Sequence, residues 1–266
     1  MMFKPANSLF FLLLITLYSC QTESIQTTSV DHSAWSNLLN QHVSKTGEVD
    51  YQGFKTDLKK LDAYLQMLSN VKVSNLPKNE QLAFWINAYN AFTIDVVIRN
   101  YPVKSIKEIR NARSLIAKAT GGSQVWLEKV RYSLDGAELS LFNIEHNKLL
   151  RSELFDPRIH FLINCASVSC PKLLNKAYTS ESLPALMDQM AREFINDPSK
   201  NRITPDQIQV SEIFNWYEGH FTRDGTLIAY LNKYSVVRMN ENARISYLPY
   251  NWELNEAKNK PVTVEK

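Results

Sequence analysis

The sequence predicts a single α+β domain, mostly helical, with a small antiparallel sheet. Apolar residues recur at three- and four-residue spacing over Ser33 to Val43, Phe54 to Leu68 and Glu80 to Asn100, which is the pattern of buried helix faces. Shorter stretches alternate between apolar and polar residues, as strands do. Aromatic residues make up 11% of the chain against only seven glycines, a balance that favours ordered elements packed on aromatic clusters.

The amino terminus reads as an export signal. Lys4 precedes an apolar run from Leu9 to Leu17, too short for an ordinary membrane span, and Leu17-Tyr18-Ser19-Cys20 follows it. This resembles a bacterial lipoprotein signal over residues 1–19. The resemblance implies that Cys20 becomes the first mature residue, with a diacylglycerol on its thiol and an acylated amino group. Several acyl chains hold a soluble domain firmly on a membrane. Residues 20–30, polar and rich in Ser and Thr, read as a flexible tether. Gln21 and Thr22 stand where an inner-membrane retention signal would carry aspartate, so the expected location is the cell envelope, with the outer membrane favoured.

Residues 31–257 form the expected globular domain, and 258–266 a loose polar tail. Tyr101-Pro102 stops the helix that begins near Glu80, because a residue before proline disfavours helical geometry. Trp126 to Leu134, Asp135-Gly136 and Ala137 to Leu141 read as a β-hairpin. Ser140 can cap a helix from Leu141 to Arg151, and Arg158 to Cys165 reads as a buried strand. Ser182 to Ile195 and Gly225 to Tyr234 read as helices, and Arg202 to Val210 and Arg244 to Trp252 as strands. A net charge of +3, dispersed along the chain, excludes a nucleic-acid binding stripe.

Three segments hold residues that packing alone does not explain. In Phe84-Trp85-Ile86-Asn87-Ala88-Tyr89-Asn90, two amides sit three residues apart on a helix that is apolar nearly all round. Each must bond a neighbouring segment or line a cavity, since an unpartnered buried amide costs about 1–3 kcal/mol. On the helix after Ser140, His146 shares a face with Phe142, Leu149 and Leu150, flanked by Glu145 and Arg151. In the third segment His160, Asn164 and Cys165 lead through small and hydroxyl residues to Cys170-Pro171.

The cysteines admit several readings. Cys165 at a strand end is a nucleophile if an imidazole helps ionise it. Export to an oxidising compartment allows a disulfide from Cys165 to Cys170, which silences that nucleophile. Cys165, Cys170, His146 and His160 are also residue types that zinc accepts, but their spacing matches no common zinc module. No metal or other cofactor is expected.

These blocks resemble the domain-of-unknown-function family 547, through Phe84-Trp85-Ile86-Asn87-Ala88-Tyr89-Asn90-Ala91, Leu141 to Arg151, and Asp156-Pro157-Arg158-Ile159-His160-Phe161 running to Asn164-Cys165 and Cys170-Pro171. Weaker blocks follow at Ile213-Phe214-Asn215-Trp216-Tyr217 and at Tyr250 to Asn255. Two positions depart from the family pattern: His220 stands where an acid commonly precedes the phenylalanine, and Asn251 where aspartate commonly precedes the tryptophan. If such an acid orients a catalytic histidine in relatives, Glu145 or Asn87 must serve here. The order of His146 before Cys165 is similar to that of permuted papain-like thiol hydrolases, a fold-level analogy.

The expected function is that of a membrane-anchored cysteine hydrolase or acyltransferase acting on peptide, cell-wall or lipid substrates. Cys165 is its nucleophile, His146 or alternatively His160 its base, Glu145 or Asn87 the orienter, and Asn164 an oxyanion donor. Asn90, Trp85, Tyr89, Arg151, Trp216 and Tyr217 are the candidate substrate contacts. The alternatives are a non-catalytic binding or scaffold module stapled by a Cys165–Cys170 disulfide, presenting an aromatic pocket, and a redox-active dithiol protein.

Overall fold

The helix after Pro77 organises the molecule because its apolar residues leave almost no polar face. In the computed structural model, which describes Met1 and residues 29–109 and 131–257, this helix (α4, Lys78–Asn100) is buried without interruption from Leu82 to Ile98. It ends at Tyr101, whose extended backbone precedes Pro102. Two shorter helices, α2 (Tyr51–Thr56) and α3 (Leu58–Ser69), pack on it, and α1 (Ser33–His42) packs on both of them. Trp35, Phe54, Tyr64 and Phe84 fill the space between them.

The helix expected over Phe54 to Leu68 is two helices. Asp57 leaves helical geometry, and its carboxylate bridges back to His42 Nε2 at 2.9 Å and to Lys60 at 2.8 Å. Spacing of leucines alone cannot register such a break. Gly53 is required beside it, since a Cβ there would lie 2.4 Å from His42 Nδ1.

Asp135 and Gly136 both take positive φ, 51° and 76°, and join β1 (Tyr132–Leu134) to β2 (Ala137–Leu139), as a tight hairpin turn demands. Trp126 to Val130, the start of the expected hairpin, lies outside the described residues. Ser140 and Asn143 then cap each other: Asn143 N–H donates to Ser140 Oγ at 3.2 Å, and Ser140 N–H to Asn143 Oδ1 at 3.0 Å. The helix that follows is a π-helix over Asn143–Leu150, a widened geometry often met at functional sites.

No strand forms over Arg158 to Cys165. Asp156 accepts the Arg158 N–H at 2.9 Å, and Pro157 opens a 3-10 helix over Pro157–Phe161. An Asx cap followed by proline is a helix start, and it outweighs the alternation of side chains. Consecutive residues from Ile159 to Asn164 are all buried, so there is no solvent face for a period of two to mark.

The second half carries α5 (Leu183–Asn196) and a three-stranded sheet in the order β3-β4-β5, with β3 at Arg202–Ile203, β4 at Gln207–Ser211 and β5 at Arg244–Leu248. β3 pairs antiparallel with β4, and β4 pairs parallel with β5 in the register Ile208 to Ile245. The expected strand at Arg202 to Val210 is thus a small hairpin, and the one at Arg244 to Trp252 stops at Leu248. Between β4 and β5 lie α6 (Ile213–Trp216), α7 (Glu218–Phe221) and α8 (Leu227–Asn232). Phe161, Phe194, Phe214 and Phe221 form the cluster that joins α5 to these short helices. No helix of the described residues is long and apolar enough to cross a membrane. The expected signal and Cys20 fall outside the described residues, as do most of the expected tether and the tail from 258.

Two predictions follow from buried polar groups. Asn90 Nδ2 donates to the Leu162 carbonyl at 3.0 Å and its Oδ1 accepts the Asn164 N–H at 2.9 Å, so Asn90→Ala strands both backbone groups. Urea unfolding should show a loss of about 1–3 kcal/mol. His32 is buried, with Nδ1 2.7 Å from the Tyr64 hydroxyl, and burial lowers its pKa from 6.5 to about 4. Between those values the unfolded chain binds a proton that the folded chain refuses. Stability is therefore whole above pH 6.5 and falls as pH drops toward 4, by about 3 kcal/mol for this group. Urea titrations at pH 7 and pH 4.5 should show a smaller drop for His32→Gln than for the wild type; equal drops remove the assignment.

Candidate functional site

The π-helix, the 3-10 segment and the last described stretch of chain meet around a cavity of about 560 Å³. Glu145 and His146 face it from the π-helix, and His160, Ile163 and Cys165 from the segment after Asp156. Tyr89 reaches it from α4, Trp216 and Tyr217 from the end of α6, and Tyr250 and Trp252 from beyond β5. Lys107 stands over the Trp252 ring, its Nζ 4.2 Å from the centroid.

The sulfur side is held by one short loop. Asn164 Oδ1 accepts the Ala166 N–H at 2.8 Å, while Asn164 Nδ2 donates to the Pro171 carbonyl at 2.7 Å. Ala166 is bent to φ 59°, a left-handed geometry uncommon for any residue but glycine. That turn brings Cys165 and Cys170 together, and their sulfurs are joined as a disulfide. The Cys165 N–H points at Cys170 Sγ at 3.1 Å, and the Tyr250 hydroxyl donates to the same sulfur at 3.1 Å. Cys170 is buried and Cys165 partly exposed to the cavity.

Glu145, not His146, is the buried member of its pair. One carboxylate oxygen accepts the Tyr89 hydroxyl at 2.9 Å and the other the Tyr217 hydroxyl at 2.7 Å. Burial, reinforced by the Glu145 charge, pushes both phenols well above their ordinary range, so they remain donors. His146 stacks on Phe142 with centroids 4.1 Å apart, and its Nδ1 is buried without a hydrogen-bond partner.

His160 Nε2 lies 2.8 Å from His220 Nδ1. Burial first, and then the neighbouring His220 and His146, hold the His160 imidazole well below its usual pKa, so it is neutral. His220, at a position where an acid was expected, is therefore the hydrogen-bond partner of a cavity histidine.

Of the residues singled out in the sequence, the structure brings Cys165, His146, Glu145, His160, Tyr89, Trp216 and Tyr217 to one cavity, together with Cys170. It does not bring Asn87, Asn90, Asn164, Trp85 or Arg151 into the lining. Asn87 exchanges two hydrogen bonds with the Tyr178 backbone, at 2.8 and 3.0 Å, and so orients no imidazole. Asn90 pins Leu162 and Asn164. With both its amide groups committed to the cysteine loop, Asn164 offers no oxyanion donor from its side chain. Trp85 is 2% exposed and packs on Phe84, and Arg151 is exposed at the end of the π-helix. Glu145 makes its hydrogen bonds to the two phenols rather than to His146. Sequence reasoning missed Tyr250, Trp252 and Lys107 as cavity residues. The first two lie in a recognised block, Tyr250-Asn251-Trp252, and only their roles were unassigned, whereas Lys107 carries no sequence signal. Among the described residues no group of three or more His, Cys, Asp or Glu is placed to hold a metal ion.

Residues 73–195, which carry α4, the π-helix and the cysteine loop, match the profile of the family described as "Protein of unknown function, DUF547". Over that span the chain is similar to this family. The matched span stops short of α6 and of Tyr250, so two walls of the cavity come from beyond it. No curated protein and no solved structure matches the chain.

The paired phenols generate a prediction. Tyr217→Phe removes one of the two donors to a buried carboxylate and should lower stability by roughly 1–3 kcal/mol, with Tyr89→Phe costing about the same. Chemical denaturation of both variants and of the double variant checks it; losses near zero would mean that the carboxylate is hydrated.

Proposed function

We propose that the cavity is the substrate site of a cysteine-dependent hydrolase or acyltransferase on an envelope protein that lipid on Cys20 tethers to a membrane, with the outer membrane favoured. The observation that carries this reading is the meeting of Cys165, His146 with its unpartnered Nδ1, and the Tyr250 hydroxyl at one cavity, from three separate segments of the chain. The order of histidine before cysteine, similar to that of permuted papain-like enzymes, supports it as an analogy.

Because the sulfurs are joined, the disulfide is the oxidised resting form in this reading. A dithiol reductant gives two electrons and two protons, becomes a disulfide itself, and returns Cys165 and Cys170 to thiols. His146 then takes the Cys165 proton, and the thiolate attacks the acyl carbon of a peptide, cell-wall or lipid substrate. As that bond forms, the leaving group departs with the proton from His146. Water or an acceptor nucleophile releases the acyl group in the second half, giving hydrolysis or transfer. Tyr250, its hydroxyl 3.5 Å from Cys165 Sγ, replaces Asn164 as the side-chain donor near the developing oxyanion.

A second reading makes the domain a binding module stapled by the disulfide. The joined sulfurs and the burial of Cys170, 4% exposed, favour it.

Alkylation separates the two. After treatment with dithiothreitol, iodoacetamide should modify Cys165 quickly and Cys170 slowly, as mapped by mass spectrometry. Cys170→Ser should free Cys165 without reductant in a protein that stays folded, and His146→Ala should slow the labelling at pH 7 about tenfold. Unfolding on reduction, or a Cys165 in folded Cys170→Ser that reacts no faster than a simple thiol, hands the site to the binding module.

A further inference from the structure

We propose that this cavity takes a substrate bearing a cationic amine, with the ammonium group seated against Glu145 and the aromatic rings around it. The inference names the substrate class of the same cavity and rests on the reading that substrate binds there.

Glu145 is the acidic residue of the cavity lining and is 6% exposed. Both its oxygens accept hydrogen bonds, as an ionised carboxylate does, yet both donors are neutral phenols. No Lys, Arg or His nitrogen among the described residues lies within 4.0 Å of it. Two neutral hydrogen bonds return less than a carboxylate loses on leaving water, so the site is short of one positive charge. His160 does not supply it, because burial keeps that ring neutral.

The walls suit the same charge. Tyr250 packs against Trp216 with ring centroids 4.9 Å apart and against Trp252 at 4.5 Å, and Trp216 leaves 47% of its surface exposed. Ring faces are negative and attract ammonium groups. The chain itself uses this wall so, since the Lys107 ammonium rests over Trp252. Lys107 is also the one lysine or arginine of the lining and the feature that would favour an anion instead. It is already seated on a ring, whereas the buried carboxylate has no cation.

The test is a binding comparison on the full chain with its disulfide intact, following the Trp216 indole resonance. The probes are n-butylammonium, choline, its uncharged isostere 3,3-dimethylbutan-1-ol, and butyrate. The two cations should bind at least about tenfold more tightly than the alcohol or butyrate. Glu145→Gln, shown to be folded by its thermal transition, should lose that preference while still binding the alcohol. Equal or tighter binding of the alcohol or butyrate to the wild type overturns the proposal without any variant, as does a preference that survives in Glu145→Gln. Thiol chemistry plays no part in this measurement. An inert Cys165 leaves its outcome intact, and a lost cation preference beside a reactive Cys165 removes only the amine.

Discussion

Asn90 is the point at which the candidate site is fastened to the core. It sits in the middle of α4, a helix with no solvent face over most of its length, and its side chain holds the Leu162 carbonyl and the Asn164 N–H. Asn164 in turn holds the Ala166 N–H and the Pro171 carbonyl, which fixes the loop between the two cysteines. A chain of two amides thus connects the buried central helix to the sulfurs. Buried amides of this kind are costly when unpaired and specific when paired, because each partner has one geometry that satisfies it. The left-handed Ala166 is tolerated because bonds on both sides of it leave the loop no other course.

A second constraint sets the electrostatics. The π turn turns Glu145 inward to two phenols and leaves His146 stacked on Phe142 with one nitrogen unpartnered. On a regular helix, residue 145 would sit about 100° away from residue 146, and the inward face would be the one drawn through Phe142 and Leu149. Both neighbours line the same cavity, with different partners. His160 adds a third ring, kept neutral by burial and joined to His220, so the cavity sets a buried carboxylate beside an imidazole that is reluctant to charge.

The two positions that depart from the family pattern have different fates. His220 still meets a cavity histidine, through an imidazole where a carboxylate would stand. Asn251 is a backbone fastener: its N–H donates to Ser169 Oγ at 2.8 Å and its Oδ1 accepts the Glu253 N–H at 2.9 Å. Its place is beside the cysteine loop, outside the cavity.

Local chemistry was legible in the sequence wherever the signal is local. The amphipathic spacing of α1, α3 and α5, the stop at Tyr101-Pro102, the Asp135-Gly136 turn and the Ser140 cap all depend on neighbours a few residues apart. So did the set of chemically active side chains, because Glu145, His146, His160 and Cys165 stand out by type and company. Tertiary structure decided their roles. Whether a buried amide pins a loop or orients an imidazole depends on what lies across from it, and for Asn87 that is Tyr178, 91 residues away. Whether Arg158 to Cys165 is strand or 3-10 turn depended on burial from all sides, which removes the alternation that a strand reading needs. The sequence admitted the Cys165–Cys170 pair as thiols or as a disulfide, and the folded loop joins them, whereas the arrival of Tyr250 and Trp252 at the same cavity comes from long-range packing, which no spacing along the chain encodes.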